Sequence, residues 1–404
     1  MERYSEYKDS GVQWLGEIPG HWGCVPLKRI CEMKSGNNLT SLDILDKGEF
    51  PVYGANGFRG YYNQYNKEGK YILIGRQGAL AGNVHLVDGK FWATDHAVVT
   101  NITSDKVFVD YISLALISMN LNQYAFDTAA QPGLAVSKII SFSTPLPPLS
   151  EQHSIVSYLD DKCGKIDKML EGKQKQIELL AEMKQRIIAD AVTHGLNSDV
   201  ELKESGIFWI RHIPSHWNVR RLGHVLHKEN RERPINAELL VCTNKAKVIK
   251  RGESKMGLIA DSEDVYQGVK KGDLLIHGMD TWHGAIAISE YDGMCTPVVH
   301  VCTSNEDVGF ISLYLRYMAM MKVFKLISNG VRQNTSDFRS WGKVAVIPCP
   351  LPPLDEQRSI VSYITDKTAK IDTLTSKLQQ EIESIKEYKQ RLISDVVTGQ
   401  IKVC

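Results

Sequence analysis

Arginine, asparagine and glutamine side chains gather in the turns that follow short apolar runs, and their chemistry is hydrogen bonding. Residues 71–74 form one such run, and Arg76, Gln77 and Asn83 come soon after it. Arg, Asn and Gln can make paired hydrogen bonds to base edges in duplex DNA, whereas Lys mainly contacts phosphate. We therefore predict DNA-contacting residues in the first half of the chain, namely Lys34, Asn37, Asn38, Arg59, Arg76, Gln77 and Asn83.

The second half carries a more basic set. Residues 228–255 contain eight Lys or Arg against four Glu, although the whole chain has a formal net charge of only +1. Any basic surface must therefore be local. Taken singly, each such residue is more typical of a solvated side chain, and only the set favours DNA. The predicted contacts are Arg231, Arg233, Lys245, Lys247, Lys250, Arg251, Lys255, Arg332, Gln333, Asn334 and Arg339.

Catalytic signatures are missing from the sequence. It has no G-x-x-x-x-G-K-[ST] loop, no H-E-x-x-H and no G-x-S-x-G, while Asp95-His96 and His283 are isolated. The eight cysteines form no C-x-x-C pair, which favours reduced structural thiols over a zinc site. We predict a non-enzymatic chain that holds no metal and no cofactor.

Composition is that of an ordinary folded protein. The 404 residues are 43% hydrophobic and 24% charged, and two to four domains are expected. No apolar run reaches about 18 residues, and the first residues are polar, so neither a membrane span nor a signal peptide is expected. These features predict a cytoplasmic location with no membrane partner.

The chain repeats itself. Residues 145–152 read Pro-Leu-Pro-Pro-Leu-Ser-Glu-Gln, and residues 350–357 read Pro-Leu-Pro-Pro-Leu-Asp-Glu-Gln. A second pair, Ser-Gly-x-x-Trp followed by Ile-Pro-x-His-Trp, occupies 10–22 and 205–217. Between these anchors the middles, about 25–143 and 220–348, share almost no sequence. A repeated frame around unlike middles suggests one scaffold that carries two different surfaces.

Each middle alternates short apolar runs with turn signals, which predicts a small α+β domain. We expect helices over 109–121 and 308–327. The predicted organisation is a first domain over 1–149, a long helix over 150–195, a second domain over 196–354 and a second long helix over 355–404.

The two long helices are predicted to form a coiled coil. Ser150 and Asp355 are candidate N-caps, and Gly195 and Gly399 are candidate ends. About 43 residues at 1.5 Å each make a rod of roughly 65 Å, longer than one small domain can cover. Apolar residues recur every seven positions, which is typical of a coiled-coil seam. The predicted seam comprises Leu159, Ile166, Leu170, Ile177, Leu180, Ile187, Ile364, Ile371, Leu378, Ile382, Ile385 and Leu392.

Two alternatives stay open at this point. Each helix could instead pack only on its own domain. Lys184 and Lys389 interrupt the seam at equivalent places, and they could either set the helix register or mark a fraying end.

The repeat is also circular. The stretch that follows the first helix corresponds to residues 1–11, so the two chain ends are expected to lie close together. Antiparallel helices would place the two domains at opposite ends of the rod.

The doubled Pro-Leu-Pro-Pro-Leu-x-Glu-Gln and the doubled Ser-Gly-x-x-Trp…Ile-Pro-x-His-Trp resemble the repeated regions of type I restriction–modification specificity subunits. The resemblance implies two target recognition domains, each reading one half of a bipartite, asymmetric duplex DNA site. It implies helices that set the spacing between the halves and dock methylation subunits. It also implies a restriction subunit as a partner, with S-adenosylmethionine, ATP and Mg²⁺ bound by partners.

The near-neutral charge differs from that of an isolated DNA-binding protein, and we interpret it as a sign that partners complete the basic surface. One alternative is a coiled-coil protein scaffold without nucleic-acid binding. Another is a diverged subunit that binds DNA but blocks cleavage. If the helices set the spacing, adding one helical turn to both should change the spacer and leave the half-sites unchanged.

Overall fold

The computed structural model describes residues 2–78, 81–124, 133–252, 265–328 and 337–403. The chain divides into two compact units. The first unit comprises Met1–Gln174 and Gln379–Cys404, and the second comprises Lys175–Leu378. Each unit therefore combines one mixed domain with a segment of each long helix.

Two stacked sheets and a helix build the domain of the first unit. One sheet has the order β4-β11-β8-β9, and the other has the order β6-β5-β10-β7. The elements are β1 (Tyr7–Asp9), β2 (Glu17–Pro19), β3 (Gly23–Pro26), β4 (Cys31–Ser35), β5 (Phe50–Gly54), β6 (Gly57–Tyr62), β7 (Lys67–Glu68), β8 (Tyr71–Gly75), β9 (Val84–Val87), β10 (Lys90–Ala93), β11 (Ala97–Ile102), α1 (Val109–Ser118), α2 (Val136–Ile139), β12 (Ser143–Leu146) and α3 (Leu149–His194).

Strand β8 shows how the core is divided. Because successive side chains point to opposite faces of a sheet, Ile72 and Ile74 join the cluster that contains α1, whereas Leu73 joins Phe91 between the sheets. The domain thus buries both faces of its central sheet.

The second unit repeats this layering with different residues. Its sheet β16-β23-β20-β21 buries Leu274 and Ile276 against the cluster that contains α4, and Leu275 on the opposite face. The elements are β13 (Leu202–Ile207), β14 (Ile210–Pro214), β15 (Asn218–Arg221), β16 (Leu226–Lys228), β17 (Leu240–Cys242), β18 (Val248–Lys250), β19 (Gln267–Val269), β20 (Leu274–His277), β21 (Ile286–Ile288), β22 (Gly293–Cys295), β23 (Val299–Ser304), α4 (Val308–Met320), α5 (Val323–Leu326), α6 (Trp341–Ala345), β24 (Pro348–Leu351) and α7 (Leu354–Val397).

Some predicted helix boundaries were wrong. The helix expected over 308–327 is broken, because Lys322 adopts a left-handed φ of 58° between α4 and α5. Helix α1 ends at Ser118, shortly before Asn120, whose φ is 48°. Ser150 and Asp355 are not N-caps, since α3 begins at Leu149 and α7 at Leu354.

Burial along the long helices follows the predicted heptads. Between residues 365 and 391 of α7, every residue outside the two heptad rows is exposed, while the rows themselves are shielded. The twelve predicted seam residues are all buried or half-buried. A stripe this narrow is covered by another helix, because a domain surface would shield more of the circumference. The coiled-coil interpretation is therefore favoured over helices that pack only on their own domains.

The helix segments pair in antiparallel fashion within each unit. In the first unit, Lys173 forms an ion pair with Glu381, and Lys389 Nζ lies 2.6 Å from Asp167 Oδ1. As the residue numbers rise along α3, the numbers of the residues paired with them on α7 fall, so the two helices run antiparallel.

The two seam lysines have equivalent partners. In the second unit, Lys184 Nζ lies 2.6 Å from Asp372 Oδ1, just as Lys389 pairs with Asp167 in the first. Both aspartates end a Lys-Ile-Asp motif that the sequence repeats. Helix α3 continues beyond Lys184 to His194, so the lysine does not mark a fraying end. The structure favours the role in helix register.

The Glu-Gln pair at the start of each long helix holds the domain beside it. Glu151 accepts hydrogen bonds from Trp22 Nε1 at 2.9 Å and Tyr4 Oη at 3.1 Å, and His21 Nε2 lies 2.6 Å from it. The neighbouring Gln152 accepts from Phe108 N at 2.8 Å. The repeated Glu-Gln motif therefore contacts the repeated His-Trp motif.

The second unit repeats the contacts of the tryptophan, the histidine and the glutamine. Glu356 accepts a hydrogen bond from Trp217 Nε1 at 3.1 Å, with His216 Nε2 at 2.7 Å, and Gln357 accepts from Asp307 N at 3.0 Å. The repeated residues are thus structural in both units.

The N-terminal segment lies against the end of α7. Tyr7 Oη donates to the carbonyl of Gly399 at 2.8 Å, and Gln400 Nε2 donates to that of Glu17 at 2.8 Å. Gly399 has a φ of +77°, and a Cβ on it would lie 2.4 Å from Pro19 Cδ. Only glycine suits this close, left-handed helix end.

Replacing Glu151 should weaken the first unit in a pH-dependent way. Burial by itself raises the pKa of Glu151, but hydrogen bonds from Trp22 and His21 outweigh burial and hold the pKa below its ordinary 4.5. A lowered pKa contributes stability above about pH 4.5 that is lost as the pH falls through the folded-state value. We expect Glu151→Gln to cost about 1–2 kcal/mol of unfolding free energy at neutral pH.

Urea unfolding of both proteins at about pH 7 and about pH 4 measures this difference, which should shrink at the lower pH. Glu182, which is exposed on the same helix, provides the control Glu182→Gln. A Glu151→Gln penalty that is equal at both pH values would contradict the role of the carboxylate.

Candidate nucleic-acid interface

In the first unit, three turns that are distant in sequence meet at one edge of the central sheet. Strands β4 and β8 both run antiparallel to β11, so they end where β11 begins. The backbone N–H of Arg76 donates to the carbonyl of His96 at 2.9 Å, and that of Gly36 donates to the carbonyl of Ala97 at 3.0 Å. The predicted residues at and next to Gly36 and Arg76 therefore share one surface, which we name the turn edge.

Arg76 is oriented at the turn edge by a neighbour. Its Nη1 donates to Ser35 Oγ at 3.1 Å, and its side chain is half-buried, whereas Gln77 beside it is exposed. A guanidinium held by one hydrogen bond retains further N–H donors, which suits paired contact with a base edge.

Asparagines continue this surface. The exposed Asn37 accepts from Asn66 Nδ2 at 3.2 Å, and Asn38 beside it is exposed. The residue before them is Gly36, and only glycine fits there, because a Cβ would lie 2.3 Å from the Ala93 carbonyl oxygen. A close backbone approach thus positions the asparagines.

A second group of carboxamides surrounds Asn83. Asn83 Nδ2 donates to Asn56 Oδ1 at 3.2 Å, and Asn122 Nδ2 donates to Asn83 Oδ1 at 3.3 Å. Asn56 and Asn122 were not predicted, although the Gly-Ala-Asn-Gly turn at 54–57 was a usable signal for Asn56. Arg59 is exposed on β6, and its side chain lies against Gly54, because Arg59 Cδ is the atom that a Cβ on Gly54 would meet first.

The second unit has the same backbone arrangement with other side chains. Gly278 N donates to the carbonyl of Val298 at 2.9 Å, as Arg76 N does to His96. Phe338 N then donates to the carbonyl of Gly278, as Leu134 N does to that of Arg76. Gly278 therefore stands where the first unit has Arg76, and the exposed Arg339 lies beside it. The two turn edges offer different hydrogen-bonding groups.

Several predicted basic residues have partners within the protein, and Lys34 Nζ, for example, lies 3.8 Å from Glu32 Oε2. Arg231 pairs with the buried Asp273 and lies 3.5 Å from Glu229, and the hydrogen bond to Asp273 raises the pKa of Arg231. Lys250 Nζ lies 2.5 Å from Glu238. The pairing with a buried carboxylate gives the guanidinium of Arg231 a structural role, and its contact with DNA stays a prediction.

The other predicted residues fall into two groups. Lys34, Arg233, Lys245 and Lys247 are exposed, and Arg251 is half-buried. Lys255, Arg332, Gln333 and Asn334 lie outside the described residues. For all candidates that the structure places on the surface, DNA contact stays a prediction.

No metal-binding group of three or more His, Cys, Asp or Glu occurs within the described residues. The seven cysteines among them are free thiols. Within the same ranges, no helix is long and apolar enough to cross a membrane.

The type I restriction modification DNA specificity domain matches this chain twice, over residues 19–179 and 214–384. The chain belongs to this family, and it is a DNA specificity subunit of a type I restriction–modification system. The prediction from the doubled motifs is confirmed, as is the α+β fold with paired long helices.

Individual relatives agree with this assignment. The EcoprrI specificity subunit of Escherichia coli is 40% identical over 164 residues, which span 39% of this chain and 40% of that protein. The putative MjaX specificity subunit of Methanocaldococcus jannaschii is 24% identical over 436 residues and 96% of each chain. A chain from a solved structure on the assembly of the type I system has a TM-score of 0.68 at 15% identity, covering 95% of this chain and 99% of that one.

Replacing Arg76 should relax recognition at one position of the bound DNA. We expect Arg76→Ala to lose about 1–3 kcal/mol of discrimination at a single base pair, because a paired Arg–base contact is removed. Ser35→Ala should have a smaller effect in the same direction. Competition binding with single-base variants of the site measures both.

The control is Arg29→Ala, since Arg29 is an exposed arginine of the same unit away from the turn edge. Equal discrimination by Arg76→Ala and the control would exclude Arg76 from base recognition.

Proposed function

We propose that each domain of this subunit recognises one half of a bipartite, asymmetric duplex DNA site. The observation that carries the proposal is the pair of turn edges, which share their backbone hydrogen bonds but present Arg76 in one unit and Gly278 in the other. Equal frames with unequal side chains suit two half-sites of different sequence, because base identity is recognised by side-chain groups.

The paired helices support a spacing role. Two equivalent ion pairs, Lys184 with Asp372 and Lys389 with Asp167, define the register of the helices in each unit. A register that cannot slip would hold the two readers at a constant separation, as dimer geometry does for other DNA-binding proteins. Joining two readers in one chain also raises overall affinity.

The helices also offer surface for methylation subunits. Outside the seam, Met169, Leu179, Met183 and Leu374 are each about half exposed, with values from 47% to 54%. Apolar side chains exposed on a charged helix are suited to bury against a partner protein. We infer that the methylation and restriction subunits bind S-adenosylmethionine, ATP and Mg²⁺, and that this chain supplies recognition without catalysis.

The central test measures what the chain confers on its partners. With its methylation subunits, the chain should direct methylation to one bipartite sequence, and the purified chain alone should transfer no methyl groups. Methylome sequencing of a host carrying these subunits, with and without this chain, measures the first expectation.

Methyl transfer by the chain alone would refute the recognition role. A scaffold that binds only proteins would show no salt-dependent DNA binding, because phosphate contacts must weaken as salt rises. A blocking subunit would bind DNA and leave the methylome unchanged.

Lengthening both helices should change the spacer and not the half-sites. The seam repeats every seven residues, so a heptad inserted after Gln174 and another after Leu378 keep it in phase. Seven residues add about 10 Å of helix, or roughly three base pairs of spacer. The methylated motif provides the measurement.

A heptad inserted in α3 alone is the control, because it lengthens one helix and not its antiparallel partner and should abolish methylation. An unchanged spacer in the doubly extended protein would show that the helices do not set the distance.

A further inference from the structure

The second unit contains a cleft that the proposed DNA recognition does not use. Its volume is about 420 Å³, within the range of small-ligand sites. One wall is α3, with Lys184 and Gln185, and the other is α4, with Arg316. The turn Thr281–His283 closes one side through Trp282.

Arg316 is the central cation of this cleft. Among the described residues its guanidinium has neither a hydrogen bond nor an ion pair, and burial lowers its pKa. No Asp or Glu is among the described residues that line the cleft. Arg316 is half-buried, and a cation that is partly withdrawn from water without a partner is unfavourable, so an arriving anion would relieve that cost.

Trp282 supplies a second unmet group. Its Nε1 is buried and has no acceptor in the described part of the chain. An indole N–H can only donate, so it requires an oxygen or a similar acceptor. Arg316 and Trp282 therefore need the same kind of partner, an oxygen that carries negative charge.

The remaining polar groups leave this requirement in place. Lys184 already pairs with Asp372, and His283 Nδ1 lies 2.5 Å from Asp280 Oδ1. Neither interaction neutralises Arg316. The carboxamides of Gln185 and Asn244 also line the cleft and add neutral donors.

The arginine of this cleft is particular to the second unit. Helices α1 and α4 begin at equivalent residues, because Phe108 N and Asp307 N donate to the equivalent Gln152 and Gln357. Counted from these starts, Ile117 of α1 occupies the place of Arg316 in α4. The sequence thus put a cation where the repeat has an apolar side chain.

We propose that this cleft binds a phosphate group, held by Arg316 and Trp282. Phosphate presents several oxygens, so it can accept from the planar guanidinium, the indole and a carboxamide together. Because α3 forms one wall and α4 the other, bound phosphate stabilises the contact between the second domain and the long helix. This proposal does not depend on base recognition by the turn edges.

Thermal unfolding of the full chain with inorganic phosphate, or with AMP as a phosphate ester, provides the test at constant ionic strength. Phosphate should raise the melting temperature of the wild-type chain. Arg316→Gln should weaken phosphate binding about tenfold, as expected for a lost charge-assisted hydrogen bond. Without phosphate, the same variant should melt at a higher temperature, because a half-buried cation without a partner among the described residues has been removed.

Two further variants test whether the effect of phosphate comes from this cleft. Trp282→Phe keeps the ring and removes the N–H, so it should also weaken phosphate binding. Arg211→Gln, at an exposed arginine of β14 in the same unit, should leave the effect of phosphate unchanged. The proposal is overturned if Arg316→Gln and the wild-type chain respond equally to phosphate. It is also overturned if Arg316→Gln melts at a lower temperature without phosphate.

A duplex DNA titration then identifies the source of the phosphate. If Arg316→Gln loses affinity for AMP but not for DNA, the natural ligand is a small phosphate ester. If affinity for both falls, a DNA backbone phosphate occupies the cleft. Unchanged affinity for both contradicts the site and leaves the function of the turn edges untouched.

Discussion

The carboxylate at the start of each long helix is the contact on which each unit depends. Glu151 and Glu356 each bring together an indole N–H and an imidazole from the His-Trp motif. The indole rings of Trp22 and Trp217 are fully buried, so the polar contact also directs a large apolar burial. Together with the hydrogen bonds from Phe108 N to Gln152 and from Asp307 N to Gln357, it attaches each domain to the helix beside it.

This constraint explains where the chain repeats and where it does not. Several residues that join a domain to a helix, or one helix to the other, recur together with their partners, as Lys184 with Asp372 and Lys389 with Asp167. The side chains of the turn edges differ between the units, as Arg76, which donates to Ser35, differs from Gly278. A specificity subunit requires this separation, because its recognition surfaces must vary while its assembly does not.

Candidate site residues were harder to predict than the fold, for a physical reason. Heptad spacing and motif repetition are local properties, and burial followed them closely. The engagement of Arg231 by Asp273 joins residues 42 apart in the sequence, and that of Lys250 by Glu238 depends on the pairing of β17 with β18. Sequence gives no sign of which basic side chains such pairing will neutralise, so those two residues resembled the exposed Lys245 and Lys247.

The sequence by itself determined the duplicated frame, the paired helices with their seam and the family, because each is written in spacing and repetition. Only the tertiary structure decided that Ser35, Arg76 and His96 share one surface, since antiparallel pairing with β11 brings their turns to one edge. It also decided that Gly278 replaces Arg76 in the second unit. Only folding places Arg316 and Trp282 in one cleft, because packing between elements distant in sequence brings the two side chains together. The same packing leaves Trp282 Nε1 without an acceptor among the described residues.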